Sequence, residues 1–227
     1  IPDSQGKMQG LDADICRAVA AAVLGDAEAV EFVPLSAQQR FTALQSGEVD
    51  VLSRNTTWTL TRDTALGLNF TNVTFYDGQG FMVRTDLGVT NASELDGAAI
   101  CVQTGTTTEK NLTDYFRATG MTFDPVVFEG FEESVTAFVA GRCDVYTTDA
   151  SGLASIRVSN VENPDDYVIL PDIISKEPLG PVTRNDDDEW FDVVKWTVNA
   201  LLNAEEMGIS SANVDEMLTS DDPNIQR

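Results

Sequence analysis

Arg62 and Asp149 are two side chains of this 227-residue chain that could together bind a ligand carrying both charges. A guanidinium can grip a carboxylate through two parallel hydrogen bonds, and a carboxylate can neutralise an ammonium group. Gly105 precedes Thr106 and Thr107 at the predicted start of a helix, where free backbone amides favour an anion. Together these groups match the α-carboxylate and α-ammonium of an amino-acid zwitterion.

Each of these residues also has a simpler structural interpretation. The Gly-Thr-Thr sequence could only cap a helix, Asp149 could do the same, and Arg62 could be a solvated surface charge. They become a candidate site because each segment follows a predicted strand, and ligands of parallel sheets bind at the carboxyl ends of strands. Asn55 falls in the same predicted cleft, and Trp58 could either cover a ligand or pack between lobes.

The elements that must position these residues alternate between strand and helix in the second half of the chain. The pattern predicts strands over 99–103, 126–128 and 144–147 and helices over 107–119 and 132–140. A long amphipathic helix is predicted over 190–207 and a shorter one over 211–218. This order is typical of parallel βαβ units.

The first half repeats the pattern with one difference. Apolar residues at a helical period predict a helix over 12–25, followed by a strand over 30–35, a helix from Ser36 to about Gly47 and a strand over 49–53. Residues 1–9 are too polar to be the strand that should precede the first helix. The comparison of the halves therefore predicts a further central strand upstream of Ile1.

The composition excludes several classes of function. The chain holds 14 Lys and Arg against 37 Asp and Glu, and its net charge of −23 repels nucleic-acid phosphates and anionic lipid surfaces. It has no histidine and its three cysteines have no C-x-x-C spacing, which excludes His-based catalytic triads and the common zinc sites. We expect no nucleic-acid partner, no metal, no cofactor and no catalytic residues.

Longer segments resemble a known family. The chain resembles the polar amino-acid family of periplasmic solute-binding proteins, which feed ABC importers, in segments 10–15, 41–51 and 69–71 and in Arg62, Gly105 to Thr107 and Thr147 to Asp149. Segments 53–63 and 174–181 are similar to the general L-amino-acid-binding subgroup of Gram-negative bacteria. The resemblance covers essentially the whole chain.

The resemblance implies a two-lobed α/β fold, the type II fold of periplasmic binding proteins. Each lobe is expected to be a mainly parallel open sheet flanked by helices, and a two-strand hinge lets the lobes close on the ligand. Lobe 1 is expected over residues 1–83 plus 182–227 and lobe 2 over 84–181, with hinge crossings near 81–85 and 176–184.

The implied function is the capture of L-amino acids in the periplasm and their delivery to the inner-membrane permease subunits of an ABC importer. The resemblance implies that the protein is not an enzyme, and we expect a monomer. Carried over by position, the α-carboxylate is bound by Arg62 with amides around Thr106 and Thr107, and the α-ammonium by Asn55, Thr57 and Asp149.

Two other classes use a similar fold. An amino-acid dehydratase or a cell-wall lytic enzyme would need a placed acid or base beyond Asp149, and loss of substrate in an assay would reveal one. The ligand core of an ionotropic glutamate receptor would need pore helices, and a sensor module would be recognised by the signalling domain encoded after it in the intact gene.

The cysteines give two further expectations. Cys101 and Cys143 lie in the first and third strands of lobe 2, which are neighbours in a 2-1-3 sheet, so we expect them to form a disulfide in an oxidising compartment. Cys16 is then left on the first helix. In the resembling subgroup the upstream strand carries a cysteine, which implies a partner for Cys16 there; alternatively, Cys16 is a small buried apolar residue.

Overall fold

The structure, a computed structural model, describes residues 5–226 and alternates helices with short strands. The α-helices of this part are α1 (Leu11–Leu24), α2 (Gln39–Ser46), α3 (Leu60–Ala65), α4 (Thr107–Thr119), α5 (Phe131–Val139), α6 (Ala150–Ser159), α7 (Asp188–Glu206) and α8 (Val214–Met217). The strands are β1 (Leu68–Phe70), β2 (Phe75–Asp77), β3 (Gln79–Arg84), β4 (Ala99–Gln103), β5 (Asp124–Phe128), β6 (Val145–Asp149), β7 (Tyr167–Ile169), β8 (Glu177–Leu179) and β9 (Val182–Arg184).

A five-stranded sheet in the order β5-β4-β6-β3-β7 organises the second half of the chain. Strand β4 is parallel to both β5 and β6, which confirms the predicted 2-1-3 order. Strand β3 pairs antiparallel with β6 and β7, so the sheet is mixed rather than mainly parallel. The antiparallel strands come from segments outside the predicted βαβ run, so the alternation of strand and helix could not reveal them.

Apolar side chains cover both faces of this sheet. Alternate residues of a strand point to opposite faces, so Met82 and Cys101 join one buried cluster with α5 and α6, while Phe81 and Ile100 join another with α4. The buried strands read as nearly continuous apolar runs for this reason. The sheet is therefore a rigid base for any group at its strand ends.

The first half differs from its prediction. Residues 30–35 and 49–53 form no strand; Leu52 makes only an isolated antiparallel bridge to Val182. Two short antiparallel ladders take their place, β1 with β9 and β2 with β8. The prediction of a parallel sheet here is wrong for the described residues, because an extended segment forms a strand only where a neighbour supplies backbone hydrogen bonds. Residues 30–35 have no such neighbour within 5–226.

The helices were predicted more accurately than the strands. Predicted and observed bounds agree for α4 and differ by one or two residues for α1, α5 and α7. Asp187 caps α7, where its carboxylate accepts a hydrogen bond from the Trp190 amide at 3.0 Å. Helix α6, which follows β6 directly, was not predicted. None of the helices in the described part of the chain is long and apolar enough to cross a membrane.

The disulfide prediction is confirmed. Cys101 and Cys143 are bonded, with their Cα atoms 5.6 Å apart, and both are buried in the cluster between the sheet and α5. Cys16 is a free thiol in a half-buried position on α1. Burial raises the pKa of this thiol, and a hydrogen bond with Ser53 acts in the opposite direction.

Candidate functional site

Arg62 is held in the first turn of α3, which begins after a Thr59 cap. The Thr59 hydroxyl accepts a hydrogen bond from the Arg62 amide at 3.3 Å. Arg62 is only 8% exposed, and its guanidinium donates from Nη1 to the Thr57 carbonyl at 2.9 Å and lies 5.0 Å from the centre of the Phe41 ring. Burial lowers the pKa of Arg62 to about 10, so it remains a cation at neutral pH. It is therefore not a solvated surface charge.

Two further guanidiniums lie beside it: Arg54, which lies in the predicted site segment with a role that the sequence leaves open, and Arg40, which the sequence patterns did not place in the site. Arg40 on α2 is 2% exposed, packs over the same Phe41 ring at 4.8 Å and donates from Nη1 to the Asn55 carbonyl at 3.3 Å. Arg54 donates to the Leu35 carbonyl at 2.7 Å. Burial lowers the pKa of both, and the charges of Arg54 and Arg62 lower the pKa of Arg40 further. The available sequence signal was the position of Arg40, which directly precedes Phe41 in the apolar stripe of α2.

Asp149 ends strand β6, at the edge where α6 begins. Its carboxylate is buried and makes no side-chain cap to α6; it accepts a hydrogen bond from Asn55 Nδ2 at 2.8 Å instead. Burial raises the pKa of Asp149 to about 6, the Asn55 hydrogen bond opposes this shift, and the charges of Asp77 and Glu177 add to it. The capping interpretation of Asp149 is not what the structure shows.

Thr106 and Thr107 at the start of α4 differ in their roles. The Thr106 hydroxyl caps the helix, accepting from the Glu109 amide at 3.1 Å and donating to the Gln103 carbonyl at 2.7 Å. The Thr107 hydroxyl lies 3.2 Å from the Thr57 hydroxyl. Only Thr107 thus brings its side chain against the segment that leads to Arg62, while Thr106 shapes the turn.

Trp58 packs against the protein rather than standing free. Its ring stacks on Phe70 with the centroids 5.5 Å apart and the planes 7° from parallel, and its amide donates to the Pro178 carbonyl at 2.8 Å. The side chain is 38% exposed. This contact packs Trp58 within the residues expected for lobe 1, and the exposed part of the ring remains available to cover a ligand.

Glu177 was missed, although it lies in the 174–181 segment that carries the family resemblance. It is 2% exposed on β8 and accepts hydrogen bonds from Thr57 Oγ1, Asn111 Nδ2 and Ser175 Oγ. A single glutamate in a Lys-Glu-Pro-Leu sequence gives no periodic signal of burial, so its position could not be inferred from pattern alone.

The site thus joins two sets of side chains that are far apart in sequence. Asn55 meets Asp149, Thr57 meets Thr107, and Gln38 donates to the Thr104 hydroxyl at 3.3 Å. Guanidiniums come from residues 40–62, and a carboxylate at the end of a sheet strand faces them. No group of three or more potential metal-binding side chains occurs in the part that the structure describes. The arrangement suits a small ligand with a negative and a positive group.

These contacts define two walls of the candidate site, with Asn55, Thr57 and Arg62 in one and Thr107 and Asp149 in the other. Two such walls on an α/β fold are typical of the periplasmic binding class. Residues 1–211 match the family described as bacterial extracellular solute-binding proteins, family 3, and the chain belongs to this family. Its fold is the type II periplasmic binding fold. The names of its relatives refer to amino acids.

Two relatives from bacteria match the chain over its whole length. The chain is 62% identical over 226 residues to the general L-amino acid-binding periplasmic protein AapJ of Rhizobium johnstonii, covering 100% of this chain and 66% of the relative. It is 59% identical over 227 residues to the glutamate/glutamine/aspartate/asparagine-binding protein BztA of Rhodobacter capsulatus, covering 100% and 67%. The chain spans about two thirds of the length of these relatives.

Among solved structures, a periplasmic binding protein from Brucella ovis with glutathione bound superposes with a TM-score of 0.96 at 59% identity, covering 100% of this chain and 71% of that one. An ancestral arginine-binding protein bound to arginine superposes with a TM-score of 0.76 at 26% identity, covering 92% and 87%.

Proposed function

We propose that this chain is the ligand-capturing part of a periplasmic protein that binds L-amino acids by closing two lobes and delivers them to the permease subunits of an ABC importer. The observation that carries the proposal is that the buried guanidinium of Arg62 and the buried carboxylate of Asp149, which come from segments far apart in sequence, lie within electrostatic range of each other. A zwitterion is the small ligand that satisfies both.

The ligand's two ends have separate binding groups in this proposal. The α-carboxylate is bound by the guanidinium of Arg62 and by amides at the start of α4, around Thr106 and Thr107. The α-ammonium is bound by Asp149 with Asn55 and Thr57. Because Asn55 and Asp149 already hydrogen-bond at 2.8 Å, the ammonium would join an existing polar contact between the walls.

The expected lobes, residues 1–83 plus 182–227 and residues 84–181, are proposed with their first boundary moved to Gly78, so that β3 belongs to the second lobe. Strand β3 pairs with β6 and β7 of the five-stranded sheet, while β2 pairs with β8, which favours placing the first crossing close to Gly78. We propose that the protein works as a monomer, without cofactor and without catalysis.

Calorimetric titration of the intact protein with the twenty L-amino acids tests this function. Saturable binding of at least several of them is expected, because the groups above contact only the backbone atoms of the ligand. Absence of binding by all twenty would contradict the proposal. Loss of amino acid during incubation with the protein would instead indicate an enzyme.

A further inference from the structure

Glu177 collects hydrogen bonds from three different segments of the chain. Its Oε2 accepts from Thr57 Oγ1 at 2.5 Å, and its Oε1 accepts from Asn111 Nδ2 of α4 at 2.7 Å and from Ser175 Oγ at 2.6 Å. The side chain is almost completely buried. A buried carboxylate is costly unless it is fully hydrogen-bonded, and this one receives donors on both oxygens.

The contact between Glu177 and Thr57 fixes the direction of a hydroxyl. A carboxylate only accepts hydrogen bonds, whereas a hydroxyl has one proton to donate and lone pairs with which to accept. The Thr57 proton is therefore committed to Glu177. In the neighbouring contact at 3.2 Å, Thr107 must then be the donor and Thr57 the acceptor.

We propose that Glu177 is a positioning residue that keeps the Thr57 oxygen available as an acceptor for the ligand's α-ammonium, and so makes the site select amines. An ammonium group only donates, so it matches an acceptor of fixed direction. A 2-hydroxy acid brings one donor without a charge, and a 2-keto acid brings only acceptors. This inference rests on the proposed function, because it assigns Thr57 to the ammonium group.

The backbone around Thr57 supports the same role. Thr57 makes an antiparallel bridge to Leu179, two residues from Glu177, and its carbonyl accepts from Arg62. The charge of Glu177 also acts on the buried Arg62. Glu177 thus holds a residue that lies between the proposed binding groups for the two ends of the ligand, and Asn111 ties this arrangement to α4.

The test compares L-glutamate with L-2-hydroxyglutarate as ligands of the intact protein. Their dissociation constants are measured by calorimetry for the wild type and for Glu177→Gln, whose amide can donate to Thr57 and let the hydroxyl turn. We expect the preference for glutamate over the hydroxy acid to fall by about tenfold or more, because a charge-assisted contact is lost.

Glu94→Gln is the matched control. Glu94 also accepts three hydrogen bonds, from the Thr90 amide, the Thr90 hydroxyl and the Asn91 amide, but it lies in an exposed turn before β4. This variant should keep the wild-type preference. A purely structural role for Glu177 would weaken both ligands equally and leave the ratio unchanged, which would overturn the inference.

Thr57→Val provides a second route that does not depend on the folding of Glu177→Gln. It removes the hydroxyl with little change in volume, and it should reduce the preference by a similar factor. In the double variant, the two changes should not add, because they remove the same interaction. An unchanged ratio in Thr57→Val would also overturn the inference.

The outcomes separate this inference from the proposed function. If the wild type binds no amino acid, the proposed function itself fails. If it binds amino acids and the ratios of dissociation constants do not change in the variants, only this inference fails.

Discussion

The two walls of the proposed site are held in place by different kinds of interaction. On one side, Asp149 ends a strand of the five-stranded sheet and Thr107 begins α4, which packs on that sheet. Apolar clusters cover both faces of the sheet, and the Cys101–Cys143 disulfide cross-links it. On the other side, Arg62 lies in a segment held by a short helix and an isolated bridge, next to a small apolar cluster. The rigid wall supplies a carboxylate, and the irregular wall supplies the cations.

In the irregular wall, contacts with other protein groups stabilise the buried cations. Arg40 and Arg62 lie over the same Phe41 ring and donate to backbone carbonyls, and Arg54 does the same to Leu35. A buried guanidinium without such partners would be strongly unfavourable. The sheet wall therefore depends on apolar packing, whereas the opposite wall depends on buried polar contacts.

Loss of the disulfide should have the largest effect on stability. The double variant Cys101→Ser/Cys143→Ser removes a link across 42 residues, and the free energy of unfolding should fall by about 4 kcal/mol on the chain-entropy account. Chemical denaturation measures it, with Val158→Ser at an exposed position of α6 as the control that should change little. Two free thiols at these positions in non-reducing mass analysis would remove this difference between the walls.

Arg62→Ala should have the largest effect on binding. This variant leaves the ligand's carboxylate without its cation. The binding free energy for L-amino acids should weaken by about 3 kcal/mol or more, and Arg62→Lys should restore only part of this loss. Calorimetric titration measures this. Arg117→Ala, which removes an exposed guanidinium paired with Asp114, is the control. Near-native affinity in Arg62→Ala would take Arg62 out of the site.

The pH dependence should come from the sheet wall. The pKa of Asp149 in the ligand-free protein is about 6, and an ammonium ligand favours the ionised carboxylate. Affinity should therefore be constant above about pH 7 and fall by up to about tenfold per pH unit below about 6. Calorimetric titration across this pH range measures the change. Asp149→Asn should bind more weakly and lose this dependence, while Asp114→Asn, an exposed carboxylate change, should retain it.

The same pKa predicts a smaller effect on stability, with the opposite sign. The folded value of about 6 lies above the ordinary value of 3.8, so the folded state holds this proton more tightly than the unfolded state. The contribution of Asp149 to the free energy of unfolding, measured by chemical denaturation, should decrease as pH rises from about 4 to about 6. If Asp149→Asn leaves the difference in stability between these two pH values unchanged, Asp149 does not carry the shift.

The sequence predicted the sheet wall well, because its evidence is local. Alternating strands and helices gave the order of β4, β5 and β6, and this order placed Cys101 beside Cys143. The roles of Arg40 and Glu177 depend on contacts between segments more than a dozen residues apart, which no periodicity encodes. The strand predicted over 49–53 was wrong because its pairing depends on neighbours, not on its own residues.

Small-angle X-ray scattering of the intact protein, with and without a saturating L-amino acid, measures whether the two lobes close on the ligand. Neither wall alone binds both ends of a zwitterion, so the ligand must favour the state in which Asn55 meets Asp149 and Thr57 meets Thr107. The radius of gyration should decrease on saturation with the amino acid. An unchanged radius at a ligand concentration shown by calorimetry to be saturating would contradict capture by closure of the two lobes.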